Sequence, residues 1–119
     1  MFMLPVKRQG GHFFLVSQLQ DNSLLLTYMD EFKKKGVLAT PYLIFTFFEE
    51  LLETKNLALL RGDIVDHKLE KKEARDVLTD FFMFYLTPDL YDKYVYSFNG
   101  DPESFDYRKY CSVLDISPN

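Results

Sequence analysis

The chain has 119 residues, of which 47% are hydrophobic and 27% charged, the composition of one globular domain. Its formal net charge of −4, from 14 basic and 18 acidic side chains, argues against a nucleic-acid partner, because tracking phosphates requires clustered cations. A single cysteine, Cys111, excludes an intrachain disulfide and a cysteine-based zinc cluster. We therefore treat residues 1–119 as a single domain.

The sequence contains no candidate membrane span and no secretory signal. The apolar stretch from Tyr42 to Phe48 is far shorter than the ~20 residues of a spanning helix, so we expect no membrane insertion. Residues Met1 to Arg8 lack the basic start and the long apolar run of a secretory signal. A cytosolic protein, a processed protein and a trimmed fragment all remain open as interpretations.

The first third of the chain predicts an antiparallel meander followed by a loop. Turns are indicated by Gly10-Gly11 and Asp21-Asn22, which separate segments rich in Phe, Leu and Val. Residues Glu31 to Gly36 include three consecutive lysines, Lys33 to Lys35, and predict a solvated loop rather than an anion site. The three predicted strands are Phe2 to Lys7, His12 to Gln20 and Ser23 to Asp30.

The middle of the chain predicts a helix and then a buried strand. Thr40 and Pro41 suit the N-cap and first turn of a helix over Tyr42 to Leu52, which Asn56 would end. The segment from Leu57 to Val65 begins with four apolar residues and predicts a strand covered on both faces. The apolar stripe of the predicted helix consists of Ile44, Phe47, Phe48, Leu51 and Leu52.

The C-terminal part predicts a helix, a strand and a last short helix. The helix runs from Glu70 to Leu86, lacks a strong capping residue and is stopped by Thr87-Pro88. Every second residue within Asp92 to Asn99 is aromatic, which predicts a half-buried strand with Tyr94, Tyr96 and Phe98 on one face and Lys93, Val95 and Ser97 on the other. Tyr107 to Asp115 predicts the last helix. The order β-β-β-α-β-α-β-α predicts an α+β fold, with a mainly antiparallel sheet of about five strands and helices packed on it.

Residues suited to catalysis are sparse. Asp63, Asp66 and His67 form a compact cluster after a predicted strand, where metal ligands or a general base could lie. No second histidine or cysteine completes a ligand set, so a solvated loop is the favoured interpretation. Cys111 lies in an apolar helix and is expected to be a small core residue. We expect no enzyme and no cofactor; a small-molecule or metal-binding enzyme domain using the three clustered residues is the alternative.

Aromatic residues make up 17% of the chain, with 12 Phe and 8 Tyr. Tyr42 and Phe45 flank the stripe of the first predicted helix, and Phe84 flanks that of the second. They widen each apolar face, which indicates either core packing or a protein-binding surface, because Tyr, Phe and Met are enriched at the centres of interfaces.

Four segments, taken in order along most of the chain, point to one family. They are Phe2 to Pro5 with Phe13 to Gln18; Tyr42 to Leu52 with Lys55 to Asp63; Glu73 to Tyr85; and Tyr96 to Asn99 with Pro102, Glu103, Phe105 and Tyr107. In these segments the chain resembles the C-terminal domain of the mitochondrial ATP synthase F(1) assembly factors, the assembly factor 1 family that chaperones the catalytic β subunit.

The resemblance implies a molecular chaperone of the mitochondrial matrix. Such a protein is expected to bind the unassembled ATP synthase β subunit and to shield the surface that later contacts the α subunit. Members also carry a transit peptide in the precursor and an N-terminal extension, neither of which we expect in residues 1–119. We further expect a monomer. The partner-binding candidates, with a structural role as the alternative, are Phe98, Asn99, Pro102, Phe105 and Tyr107.

Overall fold

The computed structural model describes residues 1–48, 59–65 and 69–118. At its centre is a five-stranded antiparallel sheet in which each strand pairs with the next one along the chain. The predicted α+β class is confirmed. The strands are β1 (Phe2–Arg8), β2 (Gly11–Gln20), β3 (Ser23–Tyr28), β4 (Leu43–Phe48) and β5 (Leu59–Ile64).

Four helices accompany the sheet in the described part of the chain, and α2 packs against β1 and α3. Helix α3 covers residues 88–100 and contains a π-helical segment, Tyr91–Tyr96, between the α-helical turns Pro88–Leu90 and Ser97–Gly100. The other helices are α1 (Met29–Lys35), α2 (Lys71–Leu86) and α4 (Tyr107–Val113).

The N-terminal meander is confirmed. Gly10 has φ 90° and Asp21 has φ 51°, so each turn contains one residue with a positive φ, a backbone conformation that glycine and aspartate adopt more readily than most residues. The register pairs Arg8 with Gly11 and Gln20 with Ser23. Local turn chemistry therefore determines the pairing of the first three strands.

The predicted helix over Tyr42 to Leu52 is wrong in its described part, since Leu43–Phe48 form β4. The segment is rich in aromatic and β-branched residues, which suit a pleated surface, and it lies between β3 and β5 in the sheet. Leu43 and Phe45 are buried there. Residues 49–58, including Leu51, Leu52 and Asn56, lie outside the described residues. The predicted strand from Leu57 to Val65 is confirmed over Leu59–Ile64, but the expected cover on both faces is wrong there, because β5 lies at the edge of the sheet and Arg61 and Gly62 are exposed.

The predicted strand from Asp92 to Asn99 is also wrong, because these residues form most of α3. Tyr94 and Val95 are both buried, whereas strict alternation would place them on opposite faces of a strand. Tyr91, Tyr94, Val95 and Phe98 recur at helical spacing, and Pro88 occupies the first turn, where proline is favoured.

The predicted loop from Glu31 to Gly36 is wrong as well, because Met29–Lys35 form α1. Asp30 and Glu31 lie in the first turn and Lys33 to Lys35 in the last, an arrangement that complements the helix dipole. The three lysines are nevertheless exposed, as expected of a solvated segment.

The prediction of α2 is confirmed, but its start is better capped than expected. The backbone N–H of Glu70 donates to Glu73 Oε1 at 3.0 Å. Arg8, at the end of β1, donates to the same carboxylate from Nε at 2.7 Å and from Nη2 at 3.1 Å. Glu73 therefore joins the first turn of α2 to the sheet.

The core is built around four mutually packed aromatic rings from different elements: Phe2 of β1, Phe84 of α2, Tyr94 of α3 and Tyr110 of α4. The ring centroid of Phe84 lies 5.5 Å from that of Phe2, 5.7 Å from that of Tyr94 and 5.1 Å from that of Tyr110. The buried Tyr110 hydroxyl also donates to the Met3 carbonyl of the outer strand β1. This aromatic cluster fixes α3 and α4 to the sheet.

Several residues considered for other roles belong to the core. Cys111 is fully buried, which confirms the core interpretation of that cysteine. Tyr42, Phe45 and Phe84 are buried too, so the aromatic residues that widened the predicted helix faces serve core packing. Any protein-binding surface lies elsewhere.

Removing the charge of Glu73 is expected to make stability less dependent on pH. The hydrogen bond from Arg8 lowers the pKa of Glu73, so the stabilisation is present above the unfolded-state pKa and disappears as pH falls through the folded-state value. We expect Glu73→Gln to lower the free energy of unfolding by about 0.2–1 kcal/mol at neutral pH, the range of exposed ion pairs. Urea titrations at pH 7 and pH 3 measure this.

At pH 3 the difference between the wild type and Glu73→Gln should be smaller than at pH 7, because the native carboxyl loses its charge as the pH falls through its lowered folded-state pKa. The exposed Glu103 provides a matched control, and Glu103→Gln should change stability equally little at both pH values. An equal deficit of Glu73→Gln at pH 7 and pH 3 would show that the charge of Glu73 contributes nothing.

Candidate functional site

Three of the five predicted site residues, Phe98, Phe105 and Tyr107, are half-buried and pack against the hydrophobic core. The ring of Phe98 lies 5.6 Å from Phe2 and 5.3 Å from Phe105, between centroids. Tyr107 lies 6.1 Å from Phe14 of β2. These contacts hold α3, α4 and the turn between them against the sheet, which supports the structural alternative for these three side chains.

The other two predicted residues, Asn99 and Pro102, are exposed. Asn99 Nδ2 donates to the Val95 carbonyl at 2.8 Å, and Pro102 begins the 3₁₀ turn Pro102–Ser104. The Asn99 side chain is thus accessible to solvent, and its amide is held by a hydrogen bond within α3.

Side chains satisfy the carbonyl groups of the π-helical segment. Ser97 Oγ donates to the Lys93 carbonyl oxygen at 2.6 Å and lies 3.3 Å from the Tyr94 carbonyl oxygen. Asn99 Nδ2 donates to the Val95 carbonyl oxygen. Such segments are rare and often accompany functional sites. The hydrogen bonds explain how this chain maintains one.

Beside this segment lies a groove of about 360 Å³, which we call the tyrosine groove. Its walls come from Met1, which precedes β1, from the ends of β2 and α2, and from the middle and end of α3. Leu19 is 56% exposed and Tyr96 61%, and Met1 and Tyr91 are also exposed. None of the described lining residues has a charged side chain. They are Met1, Leu19, Tyr85, Tyr91, Val95, Tyr96, Asn99 and Gly100.

The π-helical geometry brings the groove side chains onto one face. Hydrogen bonds in such a helix span five residues, which is the separation of Tyr91 and Tyr96. Tyr85 closes the far side, with its ring 5.7 Å from that of Tyr91. At the other end Gly100 lies against the Tyr96 ring, which a Cβ at position 100 would meet at 3.6 Å.

The groove suits an apolar protein surface better than a small polar ligand. Partial burial raises the pKa of Tyr85 through desolvation, so this phenol is neutral at physiological pH. The Asn99 amide already donates to Val95. Small-molecule sites use a few converging polar or charged groups to fix orientation, whereas interface centres are uncharged and rich in Tyr and Met.

A second groove, of about 490 Å³, contains one member of the predicted acidic cluster. Asp63 lies in its wall with Lys71 and Arg75, and its Oδ1 is 3.2 Å from Nε of Arg61. Asp66 and His67 lie outside the described residues. Across residues 1–48, 59–65 and 69–118, no group of three or more His, Cys, Asp or Glu side chains is placed to hold a metal ion.

Comparison with known proteins identifies the family. Residues 1–111 match the family described as ATP11 protein. The chain belongs to the ATP11 protein family. It is similar to the human and mouse proteins named ATP synthase mitochondrial F1 complex assembly factor 1, each 28% identical over 118 residues. The alignment covers 98% of this chain and 36% of each relative, so the chain spans about a third of their length.

This match confirms the resemblance to F(1) assembly factors that four sequence segments indicated. The closing segment of that resemblance, Tyr96 to Tyr107, falls within the matched range. In this ATP11 family chain, the segment forms the end of α3, the following turn and the start of α4.

Sequence reasoning missed Leu19, Tyr91 and Tyr96 as surface residues of this ATP11 family chain. Assigning Tyr96 to a strand placed it on the same face as Tyr94, which is buried. The helical spacing of Tyr91, Tyr94, Val95 and Phe98 is the signal that would have predicted a helix. In a helix Tyr96 lies on a different face from the buried Tyr94 and is exposed. For Leu19, at the end of β2, the sequence contains no such signal.

No helix in the described part of the chain has the length and apolarity required to cross a bilayer.

Proposed function

We propose that this protein is a non-catalytic assembly factor for the F(1) sector of mitochondrial ATP synthase. It binds the unassembled β subunit in the matrix and covers the surface that later contacts the α subunit. The observation that carries the proposal is the similarity, over 98% of the chain, to relatives named F1 complex assembly factor 1. An uncharged, tyrosine-rich groove on the surface is consistent with a protein client.

The physical task is to shield an interface until its permanent partner arrives. An unassembled subunit exposes an apolar patch that drives aggregation, and a bound chaperone removes that patch from solvent. The chaperone must then leave, so its interface should be smaller and more polar than the permanent one. Free of client, the protein is expected to be a monomer.

Co-expression with the isolated β subunit tests this function. We expect the chain to increase the soluble yield of the β subunit and to co-elute with it in gel filtration, because bound client is withdrawn from aggregation. The matched control is co-expression of the β subunit with an unrelated domain of similar size and charge. An unchanged soluble yield together with separate elution would contradict the proposal.

A further inference from the structure

We infer that the tyrosine groove is the docking site for the client, and that it takes an uncharged, apolar segment of the α-contacting surface of the unassembled β subunit. This inference rests on the proposed function and adds the surface and the chemistry of recognition to it. Four lines of observation support it: the clustering of exposed apolar residues, the absence of charged side chains from the described lining, the rigidity of the floor, and the charge of the chain.

Exposed apolar side chains are concentrated at this groove. Of the eight large hydrophobic side chains that the described residues leave exposed, four belong to its walls, namely Met1, Leu19, Tyr91 and Tyr96. Isolated exposed apolar residues are ordinary on protein surfaces, whereas a cluster indicates an interaction site. The residues come from the position before β1, from β2 and from α3, so the fold brings them together from distant positions in the sequence.

The chemistry of the walls favours an apolar partner. A charged segment would lose its hydration on entering and would find no charged side chain among the described lining residues; the charge there comes from the N-terminal amino group of Met1, whose pKa is lowered by burial, so that its charged form is disfavoured. An apolar segment loses no such hydration. The phenol hydroxyls of Tyr91 and Tyr96 are available to water when the groove is empty. This hydration stabilises the free protein and favours dissociation of the client.

The floor of the groove is held by the core. Tyr85 stacks on Phe81, with centroids 4.2 Å apart and ring planes 24° apart, and lies 6.3 Å from Phe2. Val95 is buried in the same wall, and its carbonyl accepts from Asn99. A groove that is already ordered loses little conformational entropy on binding, which favours recognition of a client surface.

A second copy of this chain is a less suitable occupant. Two copies each carry a net charge of −4 and repel each other at low ionic strength. With either occupant a standard interface takes about 800 Å² per partner, more than four partly exposed side chains provide. The groove therefore acts as an anchor within a wider contact, as a large client subunit permits.

The decisive experiment compares groove and non-groove variants of the full chain. The groove variant combines Leu19→Ser with Tyr96→Ser. The matched control is Leu38→Ser, which alters a side chain that is 85% exposed and lies outside the groove. We expect the groove variant to raise the Kd for purified, unassembled β subunit by at least about tenfold, as loss of interface anchors does, while the control stays within about twofold.

All three positions are exposed, so thermal melts followed by circular dichroism should show folded proteins. An unchanged Kd in the groove variant would overturn the docking site and leave the proposed function standing. A wild-type chain that fails to bind the β subunit would overturn the function and the occupant together. A wild-type dimer that becomes monomeric in the groove variant would identify a second copy as the occupant, which also overturns the inference.

Discussion

Phe84→Ala is expected to lower the free energy of unfolding by about 3–5 kcal/mol, the usual cost of removing a buried phenylalanine. The Phe84 side chain is fully buried, and its ring contacts rings of β1, α3 and α4. Its removal leaves a cavity where four elements meet. Because the whole domain is expected to be stable by only about 5–15 kcal/mol, the loss is a large share.

Urea denaturation of wild type and variant measures this loss. Phe82→Ala is the matched control, since Phe82 lies on the same helix but is half-buried. We expect the control to cost about 1 kcal/mol, near the average for point substitutions. Equal losses of unfolding free energy for the two variants would show that the aromatic cluster is not the main contact that holds the C-terminal helices on the sheet.

Gly62→Ala is expected to destabilise the protein by about 1–3 kcal/mol, the range for overpacking a core. Gly62 of β5 lies directly opposite Phe45 of β4, and a Cβ at position 62 would come within 2.9 Å of Phe45 Cε1. The Phe45 ring is buried and lines the second groove together with Gly62, so it must shift from its packed position to make room. The cost outweighs the small gain that alanine otherwise brings to a strand.

Gly11→Ala is the matched control, because a Cβ there meets no atom within 4 Å and Gly11 does not have a positive φ. It should be neutral or stabilising by up to about 1 kcal/mol. In the Gly62→Ala background, Phe45→Leu should cost less than it does in the wild type, since the smaller side chain relieves the clash. Additive effects in this double-mutant cycle would contradict the proposed contact.

The elements that sequence analysis predicted correctly are those defined by neighbouring residues. Gly10 and Asp21 fix the hairpins of the meander, and the stripe from Ala74 to Tyr85 defines α2 with a 3.6-residue period. These signals act over a few residues and are visible without knowledge of the rest of the fold.

The elements predicted wrongly depend on more distant partners. Residues Leu43–Phe48 are apolar except for Thr46 and are compatible with helix or strand, and pairing with β3 and β5 determines the outcome. For Tyr91–Tyr96, packing of Tyr94 against Phe84 and Tyr110 favours a helix over the alternating pattern. Propensity alone does not contain this information.

The candidate site was predicted least well. Phe98 and Phe105 attracted attention as part of a family segment, yet their described contacts are within the core. The tyrosine groove combines Met1, Leu19 and Tyr96, which only the assembled sheet and α3 bring together. Whether Asn99, which lines the groove, also touches a partner remains part of the proposal.

The most direct test mixes the purified chain with purified, unassembled β subunit, measures the mass of the complex by gel filtration with light scattering, and then adds the α subunit. Binding to the α-contacting surface predicts a one-to-one complex that disappears as the α subunit takes up the β subunit and releases the chain. A mixture without any complex, or a stable ternary complex of the chain with both subunits, would contradict it.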